Sequence, residues 1–173
     1  MKFIYSLALV LSFMFVQQNN LIADTYFLDF KSILNQSSAG KKANDVLNNQ
    51  LKQGLKKLVE REKQLQEEEK KIVQQKKILS PEEYKKSISG LRNKVSKLQK
   101  DRNIILETVS KKRNNARKQL LGAINPIVKT YMQEKNIKIV LDKKSILLAD
   151  ENLDITNDIM SLLNKNLKSL KLN

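Results

Sequence analysis

The sequence contains no cysteine, no histidine and no tryptophan, and aromatic residues make up only 5% of it. Without cysteine, the chain can form no disulfide, no thiolate nucleophile and no lipid-modified cysteine. Without histidine, it lacks the commonest general base and a principal ligand of zinc. There is also no glycine-rich phosphate-binding loop. We therefore predict a non-enzymatic protein with no catalytic, metal-binding or cofactor-binding residues.

Residues that break helices are also scarce. The 173 residues include two prolines and four glycines, whereas charged residues make up 29% of the chain. This composition is typical of long, solvated helices rather than of a compact globule. The formal net charge is +15, and the segment from Lys41 to Lys118 holds 23 lysines and arginines against 10 acidic residues. The positive charge is therefore concentrated in one part of the chain.

The first 23 residues have the three-part pattern of a secretory signal peptide. Lys2 precedes an apolar run from Phe3 to Val16, and a polar stretch then leads to Ala23. A helix needs about 20 apolar residues to span a bilayer, which is more than this run supplies, so a retained membrane anchor is the weaker alternative. We predict cleavage between Ala23 and Asp24 and a mature protein in the periplasm.

Two apolar stripes with coiled-coil spacing follow, on a charged background. The first stripe recurs every seven residues, and Val46, Leu47 and Leu55 widen it near its start; its members are Leu51, Leu58, Leu65, Ile72 and Leu79. The second stripe alternates steps of four and three; its members are Tyr84, Ile88, Leu91, Val95, Leu98, Ile105, Val109 and Ala116. Arg102 and Lys112 interrupt the second stripe, so we expect a bendable coiled coil.

A helix start signal separates the two stripes. Ser80 can cap a helix, Pro81 suits its first turn, and Glu83 completes a capping box. Pro81 also disfavours helical geometry at Ser80. We predict an antiparallel helical hairpin over residues 36–123 with its tip near 79–82, in preference to one continuous parallel rod. Gly54 and Gly90 lie within the hairpin helices, where they act either as hinges or as tolerated residues on exposed faces.

The segments on either side of the hairpin predict a small α+β base, formed by residues 24–35 and 124–173. Short apolar runs predict strands at about 26–30, 137–142 and 145–149, and the later leucine spacing predicts a terminal helix at about 155–168. Three strands and one helix supply little core for a chain of this length, so we expect the protein to oligomerise. The fold class is thus α+β, mostly helical.

The basic hairpin is the feature that indicates a binding function, because its net charge exceeds what solubility requires. Such a surface attracts acidic polypeptides, anionic lipid or lipopolysaccharide head groups, or nucleic acid. A secreted chain with no interleaved aromatic residues argues against nucleic acid. The candidate binding residues are Lys70, Lys71, Lys76, Lys77, Lys85, Lys86 and Arg92.

Two segments at the ends of the mature chain resemble those of the Skp/OmpH-like family of periplasmic chaperones. The segment from Asp29 to Lys41 carries a Ser-x-Ala-Gly-Lys-like stretch that leads into the first helix. The stretch from Val140 to Lys143, followed by Leu148-Ala149-Asp150 and by Leu153 to Thr156, looks like the family's C-terminal signature. The resemblance covers the mature chain in order and spacing, with Lys138 as a minor departure.

The resemblance implies a homotrimer whose strands form a small barrel and whose three hairpins enclose a cavity. It further implies an ATP-independent holdase chaperone for unfolded outer-membrane β-barrel proteins, with no cofactor. The residues expected to form the trimer core are Phe27, Leu28, Phe30, Ile139, Leu141, Ile146 and Leu148. Two other functions remain: a structural coiled-coil spacer or adaptor that binds anionic surfaces of the envelope, and a basic protein that compacts nucleic acid.

Overall fold

The computed structural model describes residues 25–172, so the predicted cleavage site at Ala23 and Asp24 lies outside the described residues. The described chain is mostly helical and contains a two-stranded sheet. Its elements are β1 (Thr25–Leu28), α1 (Phe30–Gln36), α2 (Ser38–Gln74), α3 (Pro81–Glu134), β2 (Ile139–Asp142) and α4 (Thr156–Asn166), with short 3-10 turns at Gln75–Lys77, Lys143–Ser145 and Glu151–Leu153. None of the described helices is both long and apolar enough to cross a membrane.

Helices α2 and α3 form the predicted antiparallel hairpin, which we call the arm. Arg61 pairs with Asp101 at 2.7 Å, and Glu68 pairs with Lys94 at 2.6 Å. Between these two pairs, each helix advances by seven residues, or two turns, in opposite directions along the arm. This spacing keeps the heptad positions of the two helices facing each other. Buried residues from both predicted stripes fill the seam between them: Leu58, Ile72, Leu91, Leu98, Val109 and Ala116.

The arm turns between Gln75 and Ser80, so helix α2 ends a few residues before the predicted tip. As predicted, Ser80 caps α3. Its hydroxyl accepts from the Glu83 N–H at 3.3 Å, and the Glu83 carboxylate accepts from the Ser80 N–H at 3.0 Å. The side-chain hydrogen bond from Ser80 lowers the pKa of Glu83. The reciprocal cap therefore fixes where the second helix starts.

Two caps near the N-terminus place the start of the arm. Asp29 accepts a hydrogen bond from the Ser32 N–H at 2.8 Å and begins α1 at Phe30, so the predicted strand over 26–30 ends at Leu28. Ser37 then caps α2 by accepting from the buried Gly40 N–H at 3.2 Å. The Asp29 cap thus starts α1 directly after β1, and the Ser37 cap starts α2, the first helix of the arm, directly after α1.

The two strands pair in parallel, with Tyr26 opposite Val140 and Phe27 opposite Leu141. The predicted strand over 145–149 is wrong for the described chain. The Asp142 side chain accepts from the Lys144 N–H at 3.2 Å, which turns the backbone into a 3-10 helix that ends at Ser145. On β1, Phe27 also forms an isolated parallel bridge with Asp154.

The core of the base lies between α1, α3 and α4. Helix α3 continues past the predicted end of the arm, through Pro126, to Glu134, and so supplies the core as well as the arm. Helix α4, Thr156–Asn166, lies within the segment for which a terminal helix at about 155–168 was predicted. The buried residues that pack together are Leu28, Ile33, Ala39, Leu120, Ile124, Ile155, Ile159 and Leu163.

Candidate functional site

The seven candidate binding cations all lie exposed around the distal end of the arm. Four of them lie in the last turns of α2 and the 3-10 turn, and three lie in the first turns of α3, so both helices contribute. They are Lys70, Lys71, Lys76, Lys77, Lys85, Lys86 and Arg92. The antiparallel fold therefore brings together charges that are up to 22 residues apart in the sequence.

Within residues 25–172, none of these seven cations forms an ion pair with a carboxylate. The ion pairs on the arm instead use Arg61, Lys94 and Lys111, whose partners are Asp101, Glu68 and Glu107. Exposed pairs of this kind contribute little to stability, because water and salt screen the charges. The arm therefore uses other basic residues for its internal ion pairs, and the seven distal cations make none within the described residues.

The tip combines this charge with apolar surface. Ile78 lies in the turn and has 83% of its surface exposed, and Val73 is also exposed one turn before it. The Lys76 ammonium lies 5.9 Å from the centre of the Tyr84 ring, within the range of a cation–π contact. The tip therefore presents an exposed branched aliphatic side chain directly after Lys76 and Lys77.

Further apolar side chains are exposed along the arm, although the heptad spacing alone does not mark them as exposed. Val46 and Val95, which were assigned to the stripes, lie at the edge of the seam and are exposed. The others directly precede or follow a stripe residue in sequence, so they point about 100° away from the seam around the helix. The exposed large apolar residues on the two helices are Val46, Val59, Val73, Val95, Ile104 and Leu106. Pairs of consecutive apolar residues within a heptad pattern were the signal for this surface.

A cleft of about 710 Å³ lies where the arm joins the base. Apolar side chains of α1, α2 and α3 line it, among them Phe30, Leu47 and Leu120. Its basic lining residues are Lys31, Arg113, Arg117, Lys143 and Lys144. Arg113 is held in place by donating to the Asn48 side chain at 2.7 Å.

The residues predicted to form a trimer core fall into two groups. Leu28 is fully buried in the core of the single chain, Phe27 is also buried, and Phe30 packs partly against that core. The others lie at or near the surface: Ile139 and Leu141 are 47% and 41% exposed, Leu148 is 91% exposed, and Ile146 is half-buried. In the described chain, the first group therefore supports the fold of the base, and most of the second group leaves apolar surface open.

A polar network fastens β1 to the start of α4. The Asp154 carboxylate accepts from the Thr156 hydroxyl and, at 2.9 Å, from Lys143, whose ammonium also lies 5.6 Å from the centre of the Phe27 ring. Burial raises the pKa of Asp154, but hydrogen bonds from Thr156 and Lys143 outweigh burial and hold it below its usual value. The Thr156 hydroxyl in turn accepts from the Asp29 N–H at 2.8 Å.

A second polar contact joins α3 to α4. The Tyr131 hydroxyl donates to the Asp158 carboxylate at 2.5 Å. Burial and this hydrogen bond raise the pKa of Tyr131 to about 12, so the phenol remains a donor at neutral pH. Over residues 25–172, no cluster of acidic side chains has a geometry that could hold a metal ion.

Comparison with known proteins agrees with this architecture. The sequence matches the family described as outer membrane protein (OmpH-like) over residues 25–163. A search of curated proteins finds no significant match. The crystal structure of an OmpH-like protein from Caulobacter crescentus CB15, described as an outer membrane chaperone, superposes with a TM-score of 0.80 at 18% identity; the match covers 86% of this chain and 88% of that chain. That similarity shows a shared fold of long helical hairpin and small β base. Because the family match extends over the whole arm and most of the base, this protein belongs to the OmpH-like family.

Proposed function

We propose that this protein is an ATP-independent holdase chaperone of the periplasm, which captures unfolded outer-membrane proteins in a basic cavity between three arms. The observation that carries the proposal is the distal end of the arm, where seven exposed cations have no acidic partner within residues 25–172 and lie beside exposed aliphatic side chains. The membership in the OmpH-like family and the chaperone description of the Caulobacter structure support it.

The charge suits the first step of capture. With 23 basic residues against 10 acidic ones between Lys41 and Lys118, the arm attracts acidic chains over a distance of about one Debye length, roughly 10 Å at 0.1 M salt. This attraction raises the rate of encounter more than it raises the final affinity. Anionic lipid and lipopolysaccharide head groups are further partners that this surface would attract.

The apolar residues of the arm suit the second step. Ile78 at the tip and the exposed aliphatic side chains along both helices offer many small, separated contacts rather than one pocket. An enclosed client that touches several arms gains affinity from the high effective concentration of these contacts. Lysine stems can also cover apolar client segments while the ammonium groups stay in water. Each contact is weak, so release needs no nucleotide.

The open surface of the base supports a homotrimer. Strand β2 has one neighbour in the described sheet, and Ile139 and Leu141 on its exposed positions lie close in sequence to Leu147 and Leu148, which are 100% and 91% exposed. So much apolar surface within ten residues is typical of an interface with other subunits. Burial of this surface between three copies would place the three arms around a common axis.

The proposal is tested with a client and a charge reversal. The mature protein at stoichiometric ratio and without nucleotide should suppress aggregation of a urea-unfolded outer-membrane protein, measured by light scattering. Reversal of six distal lysines should lower the stopped-flow association rate severalfold, because the steering charge is lost while the seam is untouched. The variant carries glutamate in place of Lys70, Lys71, Lys76, Lys77, Lys85 and Lys86.

A matched control reverses six exposed lysines away from the tip and should associate at nearly the wild-type rate; these are Lys31, Lys41, Lys129, Lys135, Lys138 and Lys165. Circular dichroism and light scattering must show that both variants keep their helicity and oligomeric state. A wild-type protein that leaves aggregation unchanged would contradict the proposal. Association that responds neither to salt nor to the distal reversal would support a coiled-coil spacer in its place.

A further inference from the structure

The C-terminal segment after α4 lies along helix α3 at the root of the arm. Leu167 and Leu170 pack partly against the core of the base. Beyond them, the Gln119 side chain contacts the backbone of Lys171, and the Lys112 ammonium donates to the Leu172 carbonyl at 3.3 Å. Residues 167–172, which we call the tail, therefore lie across about two turns of α3.

The Gln119 side chain forms hydrogen bonds with both backbone polar groups of a single residue, Lys171. The Gln119 amide nitrogen donates to the Lys171 carbonyl at 2.8 Å, and the Gln119 amide oxygen accepts from the Lys171 N–H at 3.1 Å. One residue offers its N–H and its C=O on the same side only when it is extended, as in the close pair of an antiparallel ladder. Gln119 thus takes the place of a neighbouring strand, and because it contacts backbone atoms, this contact does not depend on the identity of the side chain.

The last three side chains of the tail alternate as they do in a strand. Leu170 and Leu172 are half-buried, whereas Lys171 between them is exposed. Strands of membrane β-barrels alternate apolar and polar residues in the same way. Residues 170–172 therefore present to α3 the same alternation as a strand-forming segment of an unfolded β-barrel protein.

Few interactions hold the tail in place. Three hydrogen bonds join its last residues to two side chains of α3, and neither Lys168 nor Lys171 forms an ion pair within residues 25–172. A segment with so few polar contacts opens at low free-energy cost. A second extended chain can thus compete for the same surface.

We propose that the surface of α3 around Lys112 and Gln119 is a binding site for extended polypeptide with alternating apolar and polar residues, and that the tail occupies it as an internal ligand. On the proposed chaperone function, on which this step rests, a strand-forming segment of the client displaces the tail at the root of the arm. The tail then lowers the apparent affinity of the site for a client, because the client must compete with an intramolecular ligand of high effective concentration.

The test removes the tail and adds it back as a peptide. A chain that ends at Leu167 is compared with the full mature chain in fluorescence anisotropy with a labelled peptide of residues 166–173. We expect the shortened chain to bind the peptide at least about tenfold more tightly, because its site is always vacant. Gln119→Leu in the shortened chain should abolish the gain, whereas Gln99→Leu, at an exposed position of α3 farther along the arm, should preserve it.

A second variant covers the case in which the shortened chain does not fold. Leu170→Ser in the full chain weakens the packing of the tail and leaves α3 intact, so it should also increase peptide binding, and adding Gln119→Leu should cancel the increase. The proposed site would be wrong if the folded variant, either the shortened chain or Leu170→Ser, bound the peptide no more tightly than the full chain. It would also be wrong if Gln119→Leu left peptide binding by that variant unchanged.

The same chains separate this inference from the chaperone function. If the shortened chain captures an unfolded outer-membrane protein more tightly and the peptide competes with that client, the client occupies the tail site. If the shortened chain captures the client but does not bind the peptide, the tail site is wrong and the chaperone function stands. If it binds the peptide but captures no client, the site is supported and the chaperone function is contradicted.

Discussion

Gly40 lies against the backbone of Leu34 so closely that a Cβ atom at position 40 would be 2.0 Å from the Leu34 carbonyl oxygen. The contact forms where the chain turns from α1 into α2 around the Ser37 cap. Only glycine allows this approach, because the atom that a side chain would meet belongs to the backbone and cannot rotate away. The direction in which the arm leaves the base thus depends on one missing side chain.

Gly40→Ala should therefore destabilise the protein strongly, by several kcal/mol, as expected when a core is overpacked against a fixed backbone. The measurement is urea unfolding followed by circular dichroism. Gly90→Ala is the matched control, since a Cβ there would meet nothing within 4 Å and alanine favours a helix by about 1 kcal/mol. A neutral Gly40→Ala would show that the junction of α1 and α2 can rearrange.

Gly54→Ala tests whether Gly54 is a packing residue or a hinge. A Cβ at position 54 would lie 3.1 Å from the Ile105 side chain across the seam, so glycine here lets the two helices approach closely. The crowding against Ile105 opposes the gain of about 1 kcal/mol that alanine brings to a helix, so we expect the alanine variant to be less stabilised than Gly90→Ala. The Ile105→Val substitution should cost less stability in the Gly54→Ala background than in the wild type, because it relieves the crowding. A large gain in arm rigidity without any change in stability would favour a hinge instead.

The base, rather than the arm, should hold the oligomer. Deletion of Leu58 to Leu79 together with Tyr84 to Ile105 removes stretches that face each other in the hairpin, and the shortened protein should still be a trimer by light scattering. Leu141→Asp should dissociate it, because an unpaired carboxylate in an apolar interface costs several kcal/mol. Since Leu141 is 41% exposed in the single chain, the helical content should survive. Monomers from the shortened protein would place the contacts in the arms.

The Asp154 network should make the base sensitive to acid. The pKa of Asp154 in the folded chain lies below its ordinary value of 3.8, since hydrogen bonds from Thr156 and Lys143 outweigh the effect of burial. The carboxylate therefore adds stability above about pH 4, and that stability is lost as the pH falls through the folded pKa. Asp154→Asn should lower the melting temperature at neutral pH and lessen its fall on acidification. Asp45→Asn, at an exposed position of α2, is the control; equal profiles for the two variants would contradict this role.

The N-terminus of the mature protein is predicted at Asp24. Mass spectrometry of the protein purified from an envelope extract should show a chain that begins there, in the soluble periplasmic fraction. A product that retains Met1, or that remains with the membrane pellet, would support a retained anchor instead.

The local pattern of the sequence determined the arm. Two heptad stripes and the Ser80-Pro81-Glu83 signal were sufficient to predict an antiparallel hairpin, because coiled-coil seams and helix caps depend on residues a few positions apart. The family resemblance was also carried by short segments, and the match over residues 25–163 confirms it.

The tertiary structure decided what depends on distant contacts. At the end of β1, the Asp29 N–H donates to the hydroxyl of Thr156, 127 residues later, and Phe27 is bridged to Asp154. No local pattern predicts that the Gln119 amide contacts Lys171, a residue 52 positions later in the chain. A period of seven shows which side chains lie on one face of a helix, but only packing shows which surface covers that face and which segments remain exposed.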